Sequence, residues 1–365
     1  MLGLIREYRG LQPLLQNSFD VIIYVESGAY FQYLEYIVRK IQPLQLRIAY
    51  ISSDSKDPHL QDLQSSMQTF YARSTLAFLF PKLKSRVMIM TMPDLGNFIL
   101  KRSRFVKEYV YVFHAMVSTH QQYRKHAFDH YDTVFCTSPQ QVQEIRKFEQ
   151  LHQLPAKKLV EFGYPLINEM MSRRPVDADA DAKVLIAPSW STEGIFESCL
   201  PELVSALANS KYKVLLRPHP EFIKRFAKRW KTITNVITSS SNISIDRSAN
   251  VTDTLLQVDH LITDRSGIAF EFALATQRPV LFIDTPPKIV NPDYQELGIE
   301  PIEDRFRDAI GKRISVAEVA NIISELDSLE RLNFSEQIEL VRSEVLFAPG
   351  SGSGFTGFKD WQDQD

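Results

Sequence analysis

Two short stretches of the chain gather side chains suited to holding an anion. The first is Thr263-Asp-Arg-Ser-Gly267, set between the apolar pair Leu261-Ile262 and the run Ile268-Ala-Phe-Glu-Phe-Ala-Leu274. A polar turn between a buried strand and a helix leaves backbone N–H groups unpaired at the helix start, where the helix dipole adds partial positive charge. Ser266 is placed to cap that helix, Gly267 to let a phosphate approach the backbone, and Arg265 to add a full positive charge. Glu271 interrupts the apolar helix one turn further in, where burial without a partner would be costly. A ribose diol would be a suitable partner. A capped helix with a solvated glutamate would read the same way, because turns of this size recur by chance.

The second stretch is Arg217-Pro-His-Pro220, which closes the strand-like run Tyr212-Lys-Val-Leu-Leu216. Pro220 suits the first position of a helix over Glu221–Trp230, which leaves His219 as its cap. Arg217 and His219 then face the carboxyl end of a sheet, where open α/β folds bind ligands. A lone capping histidine is usually structural. Two such elements about 45 residues apart, as in neighbouring βα units, point together to a site.

The elements that must position these residues follow from the hydrophobic pattern. Strand-like runs fall at Asp20–Val25, Arg47–Ile51, Arg86–Met90, Tyr109–Phe113 and Thr133–Thr137, and again at Val184–Ala187, Val214–Leu216, Leu261–Thr263 and Val280–Ile283. Such runs alternating with helical patterns imply βαβ units on parallel sheets. The expected fold class is therefore α/β, with two Rossmann-like domains facing across a cleft. The first domain is expected over residues 1–168, a linker over 169–183, the second domain over 184–347 and a Gly-rich tail over 348–365. Helices are expected from Tyr30 to about Ile41, over Val316–Leu329 and over Phe334–Leu346. Within the linker, Asp177-Ala-Asp-Ala-Asp181 lacks the Gly turn and terminal Glu of a calcium loop and is not read as a metal site.

A chain of 365 residues with 44% hydrophobic content can bury two cores at ~100–200 residues per domain. The formal net charge of −2 gives no global basic field, so nucleic acid is not an expected partner. The basic stretches Lys101–Arg104 and Lys224–Arg229 read first as solvated faces and second as contacts for anionic lipid or a polyanionic product. Cys136 and Cys199 show neither CxxC nor metal spacing, which fits two buried thiols in a reducing compartment. Residues Met1–Gly10 lack the apolar core of a signal peptide, and no run approaches the ~18 residues needed to cross a bilayer. A cytoplasmic location is expected. Leu2, Leu4, Ile5, Tyr8 and Leu11 form an amphipathic face, which favours packing on the first domain over a peripheral seat on the membrane's cytoplasmic side.

Arg217-Pro-His-Pro220 followed by Thr263-Asp-Arg-Ser-Gly-Ile-Ala-Phe-Glu-Phe-Ala-Leu274 resembles the paired signature of the CDP-glycerol glycerophosphotransferase family, the teichoic-acid-type polymerases and primases of GT-B-like fold. Further matches lie at Val184-Leu-Ile-Ala-Pro-Ser-Trp190, Tyr111-Val-Phe-His-Ala115 and Ala348-Pro-Gly-Ser-Gly-Ser-Gly354. The likeness covers most of the chain. Two departures stand out: the family's usual His-Gly is His114-Ala115 here, and its frequent Asp-Tyr-Ser-Ser turn is Asp264-Arg-Ser-Gly267.

The resemblance implies transfer of a polyol phosphate, glycerol phosphate first among them, from a CDP-activated donor to a hydroxyl of a surface-polymer or lipid-linked acceptor, with CMP leaving. In a capsule or teichoic-acid-like pathway that acceptor would be a glycan or polyol-phosphate chain. His114, at the end of the strand Val110–Phe113, is the implied general base. Arg217, His219, Arg265, Ser266 and Gly267 would hold the donor diphosphate, with His219 also polarising the leaving phosphate, and Glu271 the ribose. Asp264 reads as a turn stabiliser. Ser189 and Trp190 would line the acceptor path, unless Trp190 only caps the core, and Ser351 and Gly352 would form an anion-binding nest, unless the Gly-rich segment is simply a flexible tail. No cofactor is required, no metal is held by the protein, and Mg²⁺ is at most incidental on the diphosphate. A GT-B nucleotide-sugar glycosyltransferase, a UDP-sugar epimerase-like enzyme and a non-catalytic carbohydrate- or phospholipid-binding protein are the alternatives.

Overall fold

The structure, a computed structural model, describes residues 2–173, 182–208, 210–237, 242–248 and 250–348. The Asp177–Asp181 run and the Gly-rich tail with Ser351 and Gly352 lie outside the described residues. Thirteen strands form two wholly parallel sheets among them. The first contains β1 (Phe19–Val25), β2 (Ile48–Ser52), β3 (Gln68–Tyr71), β4 (Ser85–Met90), β5 (Val106–Val112), β6 (Thr133–Cys136) and β7 (Lys158–Glu161), in the order β3-β2-β1-β4-β5-β6-β7. The second contains β8 (Lys183–Ile186), β9 (Lys213–Leu216), β10 (Ile243–Ile245), β11 (His260–Thr263), β12 (Val280–Asp284) and β13 (Gly311–Ser315), in the order β10-β9-β8-β11-β12-β13.

Both sheets therefore run outward from their first strand in two directions, the doubly wound arrangement whose switch point binds ligands at the strands' carboxyl ends. The inner strands are buried because helices cover both faces: β2, β6 and β11 are buried along their full length. Register is set by this burial, with Val21 beside Ile48 and Val87 in the first sheet, and Leu261 beside Leu185 and Val280 in the second.

Three segments tie the halves together. The helix Pro165–Ser172 packs Leu166, Ile167 and Met170 into the second core, against the helix Ile268–Thr276. Met116, two residues past His114, is buried in that same core. The helix Ser335–Val345 joins it, after which Phe347 packs on the first core and its N–H donates to the Thr137 carbonyl at 3.1 Å.

Three expected helices are subdivided; Val316–Leu329 is a 3-10 stretch, Val316–Asn321, followed by the helix Ile322–Leu329. Gly28–Tyr33 is a 3-10 turn that leads into the helix Glu35–Ile41. The segment after Pro220 is two helices, Pro220–Arg225 and Ala227–Ile237, with Phe226 between them. At the amino terminus, Leu11 is fully buried while Leu4, Ile5 and Tyr8 are 48%, 44% and 47% exposed, so the expected packing face covers only the end of the segment. No helix among the described residues is long and apolar enough to cross a membrane.

Candidate active site

The carboxyl ends of the two sheets meet at His114 and His219. His114 follows β5, and its Nδ1 lies 3.1 Å from the carbonyl of Thr91, just past β4. A carbonyl can only accept, so in the neutral ring Nδ1 carries the proton and Nε2 keeps its lone pair. Tyr30 meets the ring edge-on at 4.9 Å between centroids, and Tyr33 lies at 6.1 Å. Burial is the main cause that lowers the His114 pKa to about 4; the Lys288 charge adds to it and the Thr91 hydrogen bond opposes it.

His219 follows β9, where Pro218 and Pro220 restrict the backbone on either side. The result is an extended N-cap conformation, and its Nδ1 accepts from the Glu221 N–H at 3.1 Å. An N–H can only donate, so here Nε2 carries the proton. Burial, then the charges of Lys288 and His114, lowers the His219 pKa to about 3. His219 is thus within reach of the charge of His114, from the other half.

Around them stand residues that the sequence pattern singles out and one that it does not. Trp190 lies with its ring centroid 6.5 Å from that of His219, and both Arg225 and Lys288 set their charges over the indole, at 4.6 and 4.7 Å. Ser189 donates to Asp264 twice, from N–H and Oγ, each at 2.9 Å, which joins the turns after β8 and β11. Arg217 donates to Asp246, which also accepts from Thr254 Oγ1 at 2.7 Å and the Ser248 N–H at 2.9 Å. Lys288, on the loop after β12, falls in no motif; its signal is a lone cation after Pro286-Pro287 at the carboxyl end of a buried strand.

The Thr263–Gly267 turn differs from its sequence reading in detail. Gly267, not Ser266, is the N-cap of the helix Ile268–Thr276, and no side chain caps it. A Cβ at Gly267 would lie 3.1 Å from Val117 Cγ1 and 3.3 Å from the Met116 backbone, so the close approach made there is by the loop after His114. Arg265 gives Nε to Asp304 at 2.6 Å and Nη1 to the Thr285 carbonyl, which commits its charge to bracing the loop after β12. Glu271 is 4% exposed and accepts from the Tyr164 hydroxyl at 2.7 Å; burial pushes its carboxyl up to about 7. The partner it has here is a buried tyrosine.

Polar contacts lock the loop after His114 onto the second half. Glu303 accepts from Ser118 N–H and Oγ at 3.1 and 3.2 Å, and burial pushes its carboxyl up to about 7. His120 reaches the Ile299 carbonyl at 3.0 Å, so this histidine is structural. The basic stretches are largely engaged: Arg102 pairs with Asp132, Lys224 and Arg225 with Glu221, and Arg229 with Glu197.

Known proteins place this arrangement. Among solved structures the chain is similar to the wall teichoic acid polymerase TagF, with 15% identity and a TM-score of 0.57 over 99% of this chain and 92% of that one. It is also similar to the UDP-GlcNAc 2-epimerase of Methanocaldococcus jannaschii, solved with UDP-GlcNAc and UDP, with 11% identity and a TM-score of 0.56 over 88% and 98%. These likenesses carry the fold, two Rossmann-like domains in a GT-B-like pair. No curated protein matches by sequence. The sequence model of the family described as CDP-glycerol:poly(glycerophosphate) glycerophosphotransferase matches residues 25–285, well over half the chain. The chain therefore belongs to the CDP-glycerol:poly(glycerophosphate) glycerophosphotransferase family, as an enzyme of that type.

Proposed function

We propose that the protein moves glycerol phosphate from CDP-glycerol to a hydroxyl of a surface-polymer or lipid-linked acceptor and releases CMP. The observation that carries this reading is the pair of opposed histidines with complementary neutral forms, a free Nε2 on His114 and an Nε2–H on His219. The acceptor oxygen forms a bond to the donor's distal phosphorus while its proton passes to His114 Nε2. The bond from that phosphorus to the bridging oxygen breaks, and its electron pair leaves on CMP. His219 Nε2–H hydrogen-bonds the leaving phosphate as its charge grows, with Arg217 behind it. Both imidazoles are neutral near pH 7 because burial lowers them, so the base is ready without losing a proton first. Side chains meet the donor's charge in this reading, with Mg²⁺ at most carried in on the diphosphate; turnover that survives a chelator checks this.

The test is to incubate the pure protein with a panel of CDP-polyols and nucleotide-sugars and to measure CMP, UMP and UDP release. CMP with a new phosphodiester supports the reading. UDP release or epimerisation replaces it with nucleotide-sugar chemistry, and no turnover of any donor replaces it with a binding role.

A peripheral seat on the cytoplasmic membrane face belongs to the same proposal. Its support is a groove of about 570 Å³ bordered by Leu4, Ile5, Tyr8 and Phe78, with Arg9 and Lys82 at its rim. Phe78 is 77% exposed. Such a surface suits an anionic bilayer, with rings and aliphatic chains at the acyl boundary and cations at the headgroups. Sedimentation with anionic vesicles that is unchanged in a Leu4→Ser, Phe78→Ser double variant would remove this part.

A further inference from the structure

We propose that Lys288 binds the diphosphate of the nucleotide donor, supplying at the cleft the cation that Arg265 spends on its own loop; this rests on the transfer reading above.

The backbone of Lys288 is fixed before any ligand arrives. Pro286 and Pro287 hold two successive φ angles, and Arg265 grips the Thr285 carbonyl. From the other half, Gln122 Nε2 donates to the Lys288 carbonyl at 3.2 Å, and the N–H groups of Val290 and Asn291 donate to the Gln121 carbonyl at 2.9 and 3.2 Å. The loop is therefore a strap between the halves, and Lys288 sits at its middle.

Its side chain is the exception among nearby cations. Arg217 pairs with Asp246, Arg265 with Asp304 and Arg225 with Glu221. The Lys288 ammonium makes no hydrogen bond or ion pair among the described residues; it lies 4.7 Å from the Trp190 ring centroid. Burial lowers its pKa, against the opposing pull of Asp264 and Glu303. Its charge in turn disfavours protonation of both His114 and His219, so it lies within electrostatic reach of both rings. An ammonium with three donors, partly removed from water and given only an aromatic face, gains most from a multiply charged oxyanion. Trp190, on which this ammonium rests, also lies with its ring centroid 6.5 Å from that of His219.

Lys288→Met tests this, since it keeps the aliphatic stem on Trp190 and removes the charge. Calorimetry with CDP should show affinity about 10- to 100-fold weaker, with cytidine binding unchanged and a shallower salt dependence. Lys288→Gln should behave alike, and Lys288→Arg should retain most of the affinity. The His114 and His219 rings should also titrate at higher pH in Lys288→Met by NMR. Lys288 is the opposing charge common to both; Tyr30, Tyr33 and the Thr91 carbonyl otherwise surround His114, and Glu221 and His114 otherwise face His219. Equal CDP affinity in the folded Met and Gln variants overturns the proposal. If the wild type takes UDP and not CDP, the cytidine donor is wrong, and Lys288 is judged by the same comparison with UDP. A wild type that binds neither nucleotide nor inorganic pyrophosphate overturns both readings together.

Discussion

His114 and His219 occupy matching places, each just past the carboxyl end of a parallel strand, yet the main chain gives them opposite hydrogens. At His114 a carbonyl just past the neighbouring strand accepts from Nδ1–H and leaves Nε2 with its lone pair. At His219 the amide of the helix it caps donates to Nδ1 and leaves the N–H at Nε2. The same side chain is left with a lone pair on Nε2 in one half and an N–H there in the other. One backbone contact decides which, and neither role needs a charged imidazole.

The largest effect expected from breaking this pairing is at His114. His114→Ala should lower kcat by about 10²–10⁴-fold while CDP affinity stays near wild type, because the proposed nucleotide contacts belong to the other half. Equal losses in binding and turnover would show that His114 holds the donor instead. The pH profile sharpens the point. Protonation of Nε2 removes the base, so kcat/KM should fall below about pH 4, well under an ordinary imidazole, and that limb should be absent in the variant.

His219 allows a finer separation, because its two nitrogens do different work. His219→Ala should weaken CDP binding by about 10- to 100-fold through the lost donor. It should also cost ~1 kcal/mol of stability through the lost cap. His219→Asn offers an oxygen to the Glu221 N–H, since asparagine is among the best N-caps, but leaves the nitrogen on the cleft side unreplaced. Melting should recover and CDP binding should not. Recovery of both would mean that the cap alone is what His219 contributes.

How much of this is legible in sequence follows from burial. Every central strand appears as an apolar run because both its faces are covered. The strands without such a run are β3, β7, β10 and β13, the outermost of each sheet, whose alternating exposure erases the signal. The His219 cap is readable from its flanking prolines, a local signal. Non-local facts decide the rest. Arg265 looks like an anion ligand until Asp304 is brought to it, Lys288 looks like any loop lysine until Gln121 and Gln122 pin its strap, and Glu271 has no visible partner until the Pro165–Ser172 region delivers Tyr164.

Glu271 gives the smallest effect and the cleanest sign. Burial raises its folded-state pKa to about 7, while an unfolded chain would show about 4.3. The folded protein therefore holds this proton more tightly, and the stability linked to it is full below the unfolded value and is lost as pH rises through about 7. Glu271→Gln does not titrate, and its amide oxygen can still accept from Tyr164. The two proteins should melt alike near pH 5, and at pH 8 the variant should be the more stable by about 1–3 kcal/mol. Glu303, also raised to about 7, titrates in both and cancels from the difference. Parallel melting curves across that range would mean that the carboxyl is ionised and solvated when folded. Calorimetry with CMP on the same variant decides what else the carboxyl does: weaker binding assigns it a ribose hydroxyl, and unchanged binding confines it to holding Tyr164 beneath the Tyr33 and His114 rings.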